Sequence, residues 1–170
     1  MFNQCFHTSI NGVPACANQQ LLTNITRNEW GFKGYIVSDA GAVSNIISYH
    51  KYVKTPEEAA AASIKAGCNL ELHLDDIIYD STLSAMKAGL LTEKQIRDNV
   101  RPLMYTRMRL SEFDPEEMNP YNAVNMSYVQ SVAHRELALQ AAMKTFVLLK
   151  NDRDLLPLKQ VYNKLAVSIT

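Results

Sequence analysis

The chain has 170 residues, 47% apolar and 20% charged, with Lys+Arg and Asp+Glu both at 17. This is globular composition, which excludes a disordered chain, and the balanced charge lacks the basic footprint of a nucleic-acid binder. No run of about 18 apolar residues occurs, so no membrane-spanning helix is expected, and the start of the chain has neither the basic residues nor the apolar stretch of a secretory signal.

The three cysteines, Cys5, Cys16 and Cys68, lack the spacing of a zinc site. Their odd count argues against a disulfide-built scaffold, and no metal or cofactor is expected. Asn24-Ile25-Thr26 and Asn125-Met126-Ser127 are glycosylation sequons, at a number that chance supplies in a chain this rich in Asn, Ser and Thr.

The first 20 residues read as loop, with a turn at Asn11-Gly12-Val13-Pro14. A helix over Gln19–Arg27 follows from the spacing of Leu21, Leu22 and Ile25. Trp30-Gly31-Phe32-Lys33-Gly34 breaks it. Tyr35-Ile36-Val37 is a short apolar run of β-formers, the pattern of a parallel strand buried on both faces. Thr55-Pro56-Glu57-Glu58 is a capping box with Pro at the first helical position, and Gly67 ends that helix. Cys68–Leu72 reads as a second strand. A helix then runs to Ala88 and stops at Gly89. Thr92-Glu93-Lys94-Gln95 is another capping box, opening a helix with Ile96, Val100, Leu103 and Leu110 on one face, which Pro102 is expected to kink or shorten.

Residues 20–110 therefore alternate helix and strand, which implies βα units and a parallel sheet. From Ser111 the character changes to a linker through residue 163, with a helix over Ser131–Met143 and a strand over Phe146–Leu149. Lys164–Ile169 reads as the first strand of a further domain.

The chemistry points first to Asp39. A carboxylate directly after a buried parallel strand lies at the edge where βα folds build active sites, and Gly41 lets a ligand approach the backbone. The alternative is an Asp that caps or turns the chain. Glu71, at the end of the second strand, faces the same edge. Asp75 and Asp76 read as helix-start carboxylates. His50 and His73 are minor candidates for lining a sugar site, His134 reads as structural, and Trp30 reads as core rather than as a ring that stacks on a sugar.

Gly31-Phe32-Lys33-Gly34-Tyr35-Ile36-Val37-Ser38-Asp39 resembles the GF-x-G-x-V-x-SD signature of glycoside hydrolase family 3. Asn11–Cys16, Glu29-Trp30-Gly31, Thr55–Ala62 with Ala66-Gly67-Cys68, Phe113-Asp114-Pro115, His134-Arg135, Val147–Asn151 and Lys164–Val167 resemble further family motifs, in the right order. The resemblance implies part of a (β/α)8 barrel over residues 1–110, the linker, and the opening strand of an α/β sandwich domain over 164–170. A whole barrel needs about 250 residues, so the chain is expected to be a fragment. Its relatives are mostly secreted or vacuolar.

In that family the Asp of the SD signature is the nucleophile, and Asp39 is the residue that matches it. A Glu from the sandwich domain is the acid/base, expected beyond Thr170. Glu71 is a candidate for contacts to sugar hydroxyls; the family motif AG-x-D-x-E reads Asn69 in place of its Asp. The S-Y-N that precedes the NG-x-P loop in relatives is Phe6-His7-Thr8 here; this loop approaches the sugar in the family, so either its contacts have changed or the start of the fragment is aberrant. The expected activity is retaining, exo-acting hydrolysis of a small oligosaccharide or aryl glycoside, in the β-xylosidase and arabinofuranosidase branch, with no cofactor, nucleic acid or membrane. The competing reading is a non-catalytic relative that keeps the scaffold alone. A nucleotide-binding domain lacks its G-x-G-x-x-G or P-loop, and a serine hydrolase its G-x-S-x-G.

Overall fold

A computed structural model describes residues 2–73 and 77–158. Strand β1, Phe2–Cys5, opens the chain and was not legible in the sequence, where polar Asn3 and Gln4 break any apolar run. Asn11 and Gly12 both take positive φ, 52° and 79°, the two-residue turn that matches strand twist. It joins the short antiparallel strands β2, Ser9–Ile10, and β3, Val13–Pro14.

The helix expected over Gln19–Arg27 runs over Gln20–Glu29 and is wound wide: Trp30 N–H reaches back five residues to Ile25 O at 2.9 Å. Strand β4, Tyr35–Ser38, follows and pairs in parallel with β1, Cys5 lying opposite Ser38. Ile36, Val37 and Ser38 are buried, as the apolar run predicts.

On the other flank of β4 the expected Cys68–Leu72 strand is reduced to one parallel bridge, Val37 to Leu70. Side chains replace part of the ladder there. Asn69 Oδ1 accepts the Ile36 N–H at 2.7 Å, and Ser38 Oγ accepts the Leu72 N–H at 2.9 Å. The segment still runs parallel to β4, with Ser38 N–H on Leu70 O at 2.8 Å.

The short helix α1, Asn45–Ser48, precedes α2, Pro56–Ala66. The capping box at the start of α2 is formed by Thr55 and Glu58, and Gly67 ends the helix at φ 103°. A Cβ at Gly67 would come 2.7 Å from Thr23 Oγ1, so both the positive φ and the close approach require glycine. Ala59, Ala60, Ala61, Ile64 and Ala66 of α2 are buried among Ile36, Val43, Ile46, Cys68, Ala85 and Leu91.

Helix α3, Thr82–Lys87, leads to α4, Glu93–Arg109, whose capping box joins Thr92 and Gln95. Pro102 does not shorten α4, which Asn99 anchors through Nδ2 to Ile64 O at 3.0 Å and Cys68 O at 2.8 Å. Of the expected apolar face, Ile96 packs on the core while Val100 and Leu110 are exposed.

The odd cysteine count concealed a bonded pair. Cys5 and Cys16 form a disulfide, and Cys68 is a free buried thiol whose Sγ lies 3.8 Å from Cys5 Sγ. All three sit in one core, which sequence spacing could not reveal.

The chain divides into two compact units, Met1–Asn119 and Pro120–Thr170. The second holds α5, Val132–Thr145, with Ser131 Oγ accepting the His134 N–H at 3.3 Å. The expected strand Phe146–Leu149 is not formed: its side chains are exposed and no strand among the described residues pairs with it. The expected strand Lys164–Ile169 lies outside the described residues, as do Asp75 and Asp76. No helix among the described residues is long and apolar enough to cross a membrane.

Candidate active site

Asp39 is the first residue past β4. Its N–H donates to Cys5 O at 2.7 Å, and the Ala42 N–H donates to its carbonyl at 3.0 Å, so the chain turns sharply after it. Gly41 takes φ 75° in that turn. The carboxylate therefore stands at the C-terminal end of the parallel strands, half-exposed.

Its two oxygens differ. Oδ1 accepts the Ala40 N–H at 2.8 Å and Gln4 Nε2–H at 3.2 Å. Oδ2 faces His7 Nε2 at 3.7 Å. Gln4 comes from β1 and His7 from the segment just after it, so the unrecognised first strand and its exit flank the carboxylate. The ring of His7 is held in turn by Asn45 at the start of α1, with Nδ2 and Nδ1 2.6 Å apart. His50 Nε2 donates to His7 O at 3.0 Å.

Glu71 is buried, and both its oxygens are engaged. Oε1 accepts the Ile78 N–H at 3.1 Å and Oε2 the Tyr79 N–H at 2.7 Å, at the start of the helical turn Ile78–Ser81. Burial pushes its carboxyl above the ordinary range, and the two amides pull it back. Tyr79 itself is raised well above its usual value, chiefly by burial, while its hydroxyl donates to Cys68 O at 2.8 Å.

Asn69, which replaces the acidic residue of the family motif, is a buried hub. Besides the Ile36 N–H it accepts from Arg27 Nη2 at 2.5 Å, and its Nδ2 donates to Asn99 O at 2.6 Å. Arg27 also donates to Gly34 O at 2.9 Å, and burial lowers its guanidinium from the ordinary value. The amide supplies here what a carboxylate lacks, a donor to the Asn99 carbonyl.

The remaining candidates scatter. His73 and Leu72 are exposed beyond the Leu70 bridge, and His134 lies exposed on α5 in the second unit. Trp30, expected in the core, is 68% exposed, because the break after the wide helix turns it outward. A cleft of about 420 Å³ lined by Gly31–Gly34, Tyr105 and Arg109 opens at the other end of β4 from Asp39. Gln4, Arg27 and Asn99 were not singled out from sequence; each is a polar residue whose role depends on a distant partner.

The model of the Glycosyl hydrolase family 3 N terminal domain matches residues 1–133. Beta-D-xylosidase 1 of Arabidopsis thaliana is 42% identical over 154 residues, which is 91% of this chain and 20% of that protein. Beta-xylosidase/alpha-L-arabinofuranosidase 2 of Medicago sativa subsp. varia is 41% identical over 155 residues, 91% of this chain and 20% of that protein. Among solved structures, a GH3 exo-beta-xylosidase (XlnD) in complex with a xylobiose aziridine activity-based probe superposes with a TM-score of 0.82 at 31% identity, covering 94% of this chain and 20% of that one. The beta-glucosidase from Listeria innocua in complex with isofagomine gives a TM-score of 0.77 at 29% identity, over 88% of this chain and 21% of that one. The chain spans about a fifth of the length of the curated relatives it matches.

Proposed function

This chain belongs to glycosyl hydrolase family 3, and we propose that it carries the nucleophile, Asp39, of a retaining, exo-acting β-glycosidase of the β-xylosidase and arabinofuranosidase branch. The observation that carries the reading is the position and the asymmetry of the Asp39 carboxylate. It follows a buried parallel strand directly, one oxygen is held by two N–H donors, and the other is left for chemistry. On this reading β1, β4 and the Leu70 segment are neighbouring strands of a (β/α)8 barrel.

Retention needs two carboxyl groups about 5–5.5 Å apart. Asp39 Oδ2 attacks the anomeric carbon while the second group protonates the leaving oxygen. Water then hydrolyses the glycosyl-enzyme, with the second group acting as base. The resemblance to the family gives that second role to a Glu of the sandwich domain, and Glu71 is not offered for it, since both its oxygens serve backbone amides. On this reading hydrolysis uses these residues together with the other barrel strands and the sandwich domain of the family, and the 170-residue chain assayed by itself shows no turnover.

The test uses such a joined protein, an aryl β-xyloside and a 2-fluoro-xyloside trap. Asp39→Asn abolishes hydrolysis with the thermal midpoint little changed, and peptide mapping finds the label on Asp39. A label on Glu71, or robust hydrolysis by the 170-residue chain alone, overturns the assignment.

A further inference from the structure

We propose that His7 is a positioning residue for the Asp39 carboxylate, its neutral ring held by Asn45 in the tautomer that presents Nε2–H to Asp39 Oδ2. The inference rests on the reading of Asp39 as nucleophile for its catalytic meaning, but not for its geometry.

The chain is built to bring the ring there. Cys5, the last residue of β1, takes the Asp39 N–H, so the segment after it passes over the end of β4. His7 is two residues on, and its carbonyl is fixed by His50 Nε2 at 3.0 Å. One face of the problem is therefore backbone placement, which both strands share.

The other is where the proton sits. Ser48 Oγ lies 3.0 Å from Asn45 Oδ1 and 3.2 Å from Ser44 O; its one proton on the nearer oxygen leaves the NH₂ of the amide toward the ring. Asn45 Nδ2 then donates to His7 Nδ1 across 2.6 Å. A neutral imidazole has one N–H; when Nδ1 accepts, the proton is on Nε2. Nε2 is the atom that faces Asp39 Oδ2 at 3.7 Å. That separation is beyond hydrogen-bond range, as catalytic contacts often are before substrate binds.

The chemical consequence follows from the two oxygens. Oδ1 is tied down by Ala40 and Gln4. A neutral N–H beside Oδ2 orients it without placing a full positive charge on the attacking atom. Ser48, Asn45 and His7 thus form a chain of donors that ends on the reacting carboxylate, with a residue in it that replaces the Tyr of the resembled family's S-Y-N.

The experiment reads the tautomer directly. Long-range ¹H–¹⁵N correlation on the uniformly labelled 170-residue chain shows His7 protonated at Nε2 alone. Asn45→Asp, whose side chain accepts where the amide donated, moves the proton to Nδ1. Asn45→Ala gives the averaged signals of an unconstrained ring. In the joined glycosidase, His7→Phe lowers kcat by about 10–100-fold, the worth of one hydrogen bond to a charged group, with KM little changed. His7→Gln, which keeps an N–H donor, restores most of it. An Nδ1-protonated ring in the wild-type chain, or a tautomer indifferent to Asn45→Asp, overturns the proposal. So does unchanged kcat in His7→Phe when Asp39→Asn abolishes hydrolysis. If instead Asp39→Asn stays active, the nucleophile reading fails, and the tautomer measurement still decides the placement of His7.

Discussion

Ile36, Val43, Ile46 and Cys68 in the first unit have no solvent exposure, whereas Leu137, Leu139, Met143 and Leu149 in the second are each more than half exposed. Both regions carry capped helices: Thr55 and Glu58 close the start of α2, and Ser131 caps α5. Capping uses residues three apart in the chain, so it needs no tertiary partner. Burial needs partners from far along the chain, and α2 has them on two sides, in Ile36 and Ile46 and in Ala85 and Leu91. The contrast teaches that helix formation in this protein is local everywhere, while the strength of a side chain's contribution depends on which unit holds it.

The sharpest way to break the comparison is at the polar hub of the first unit. Asn69→Leu leaves the Ile36 N–H and the Asn99 carbonyl without this partner and takes one acceptor from Arg27, which keeps Gly34 O. At about 1–3 kcal/mol for each of these two buried groups, the loss is about 2–6 kcal/mol, read as a much lower urea midpoint for the first unit. Next comes Ile46→Ala against Leu139→Ala. The first empties a fully buried site and costs about 2–5 kcal/mol. The second removes an exposed side chain and stays within about 0.5 kcal/mol. Equal effects on the two denaturation midpoints would erase the distinction between the units.

Removing the caps gives a smaller effect. Thr55→Ala costs about 1 kcal/mol, and hydrogen exchange localises it to the first turn of α2. Ser131→Ala costs a similar amount in α5, because the mechanism is the same in both units.

The smallest effect is a pH dependence confined to the first unit, where Glu71 is buried. Its carboxyl lies above the ordinary value in the folded state, with burial as the main cause. A carboxyl raised by folding contributes stability that is whole below the unfolded value and is lost as pH rises through the folded one. Raising pH from about 4 to 7 therefore costs the wild type stability relative to Glu71→Gln, read as converging or crossing midpoints in paired urea titrations.

Much of the fold was legible in the residues. The capping boxes, the glycine stop at Gly67, the turn at Asn11-Gly12 and the buried run feeding into Asp39 each depend on neighbours in the chain, and each stands as the pattern indicated. The failures share a cause as well. β1 has no apolar pattern of its own and becomes a strand because β4 offers a parallel edge. The Cys68–Leu72 strand is cut to one bridge because side chains of Asn69 and Ser38 occupy ladder positions. Phe146–Leu149 has strand composition but no strand paired with it among the described residues.

For the site, the sequence by itself determined that a carboxylate would end a buried strand, because chain direction and apolar run length fix that locally. Only the tertiary structure decided what surrounds it. Gln4 and His7 reach Asp39 across more than thirty positions of chain, Asn45 sets the ring of His7, and Glu71 is drawn to the amides of Ile78 and Tyr79. Polar residues carry no periodic signal that names their partner. A hydrogen bond is specified by distance and direction, and those exist only once the strands have been brought side by side.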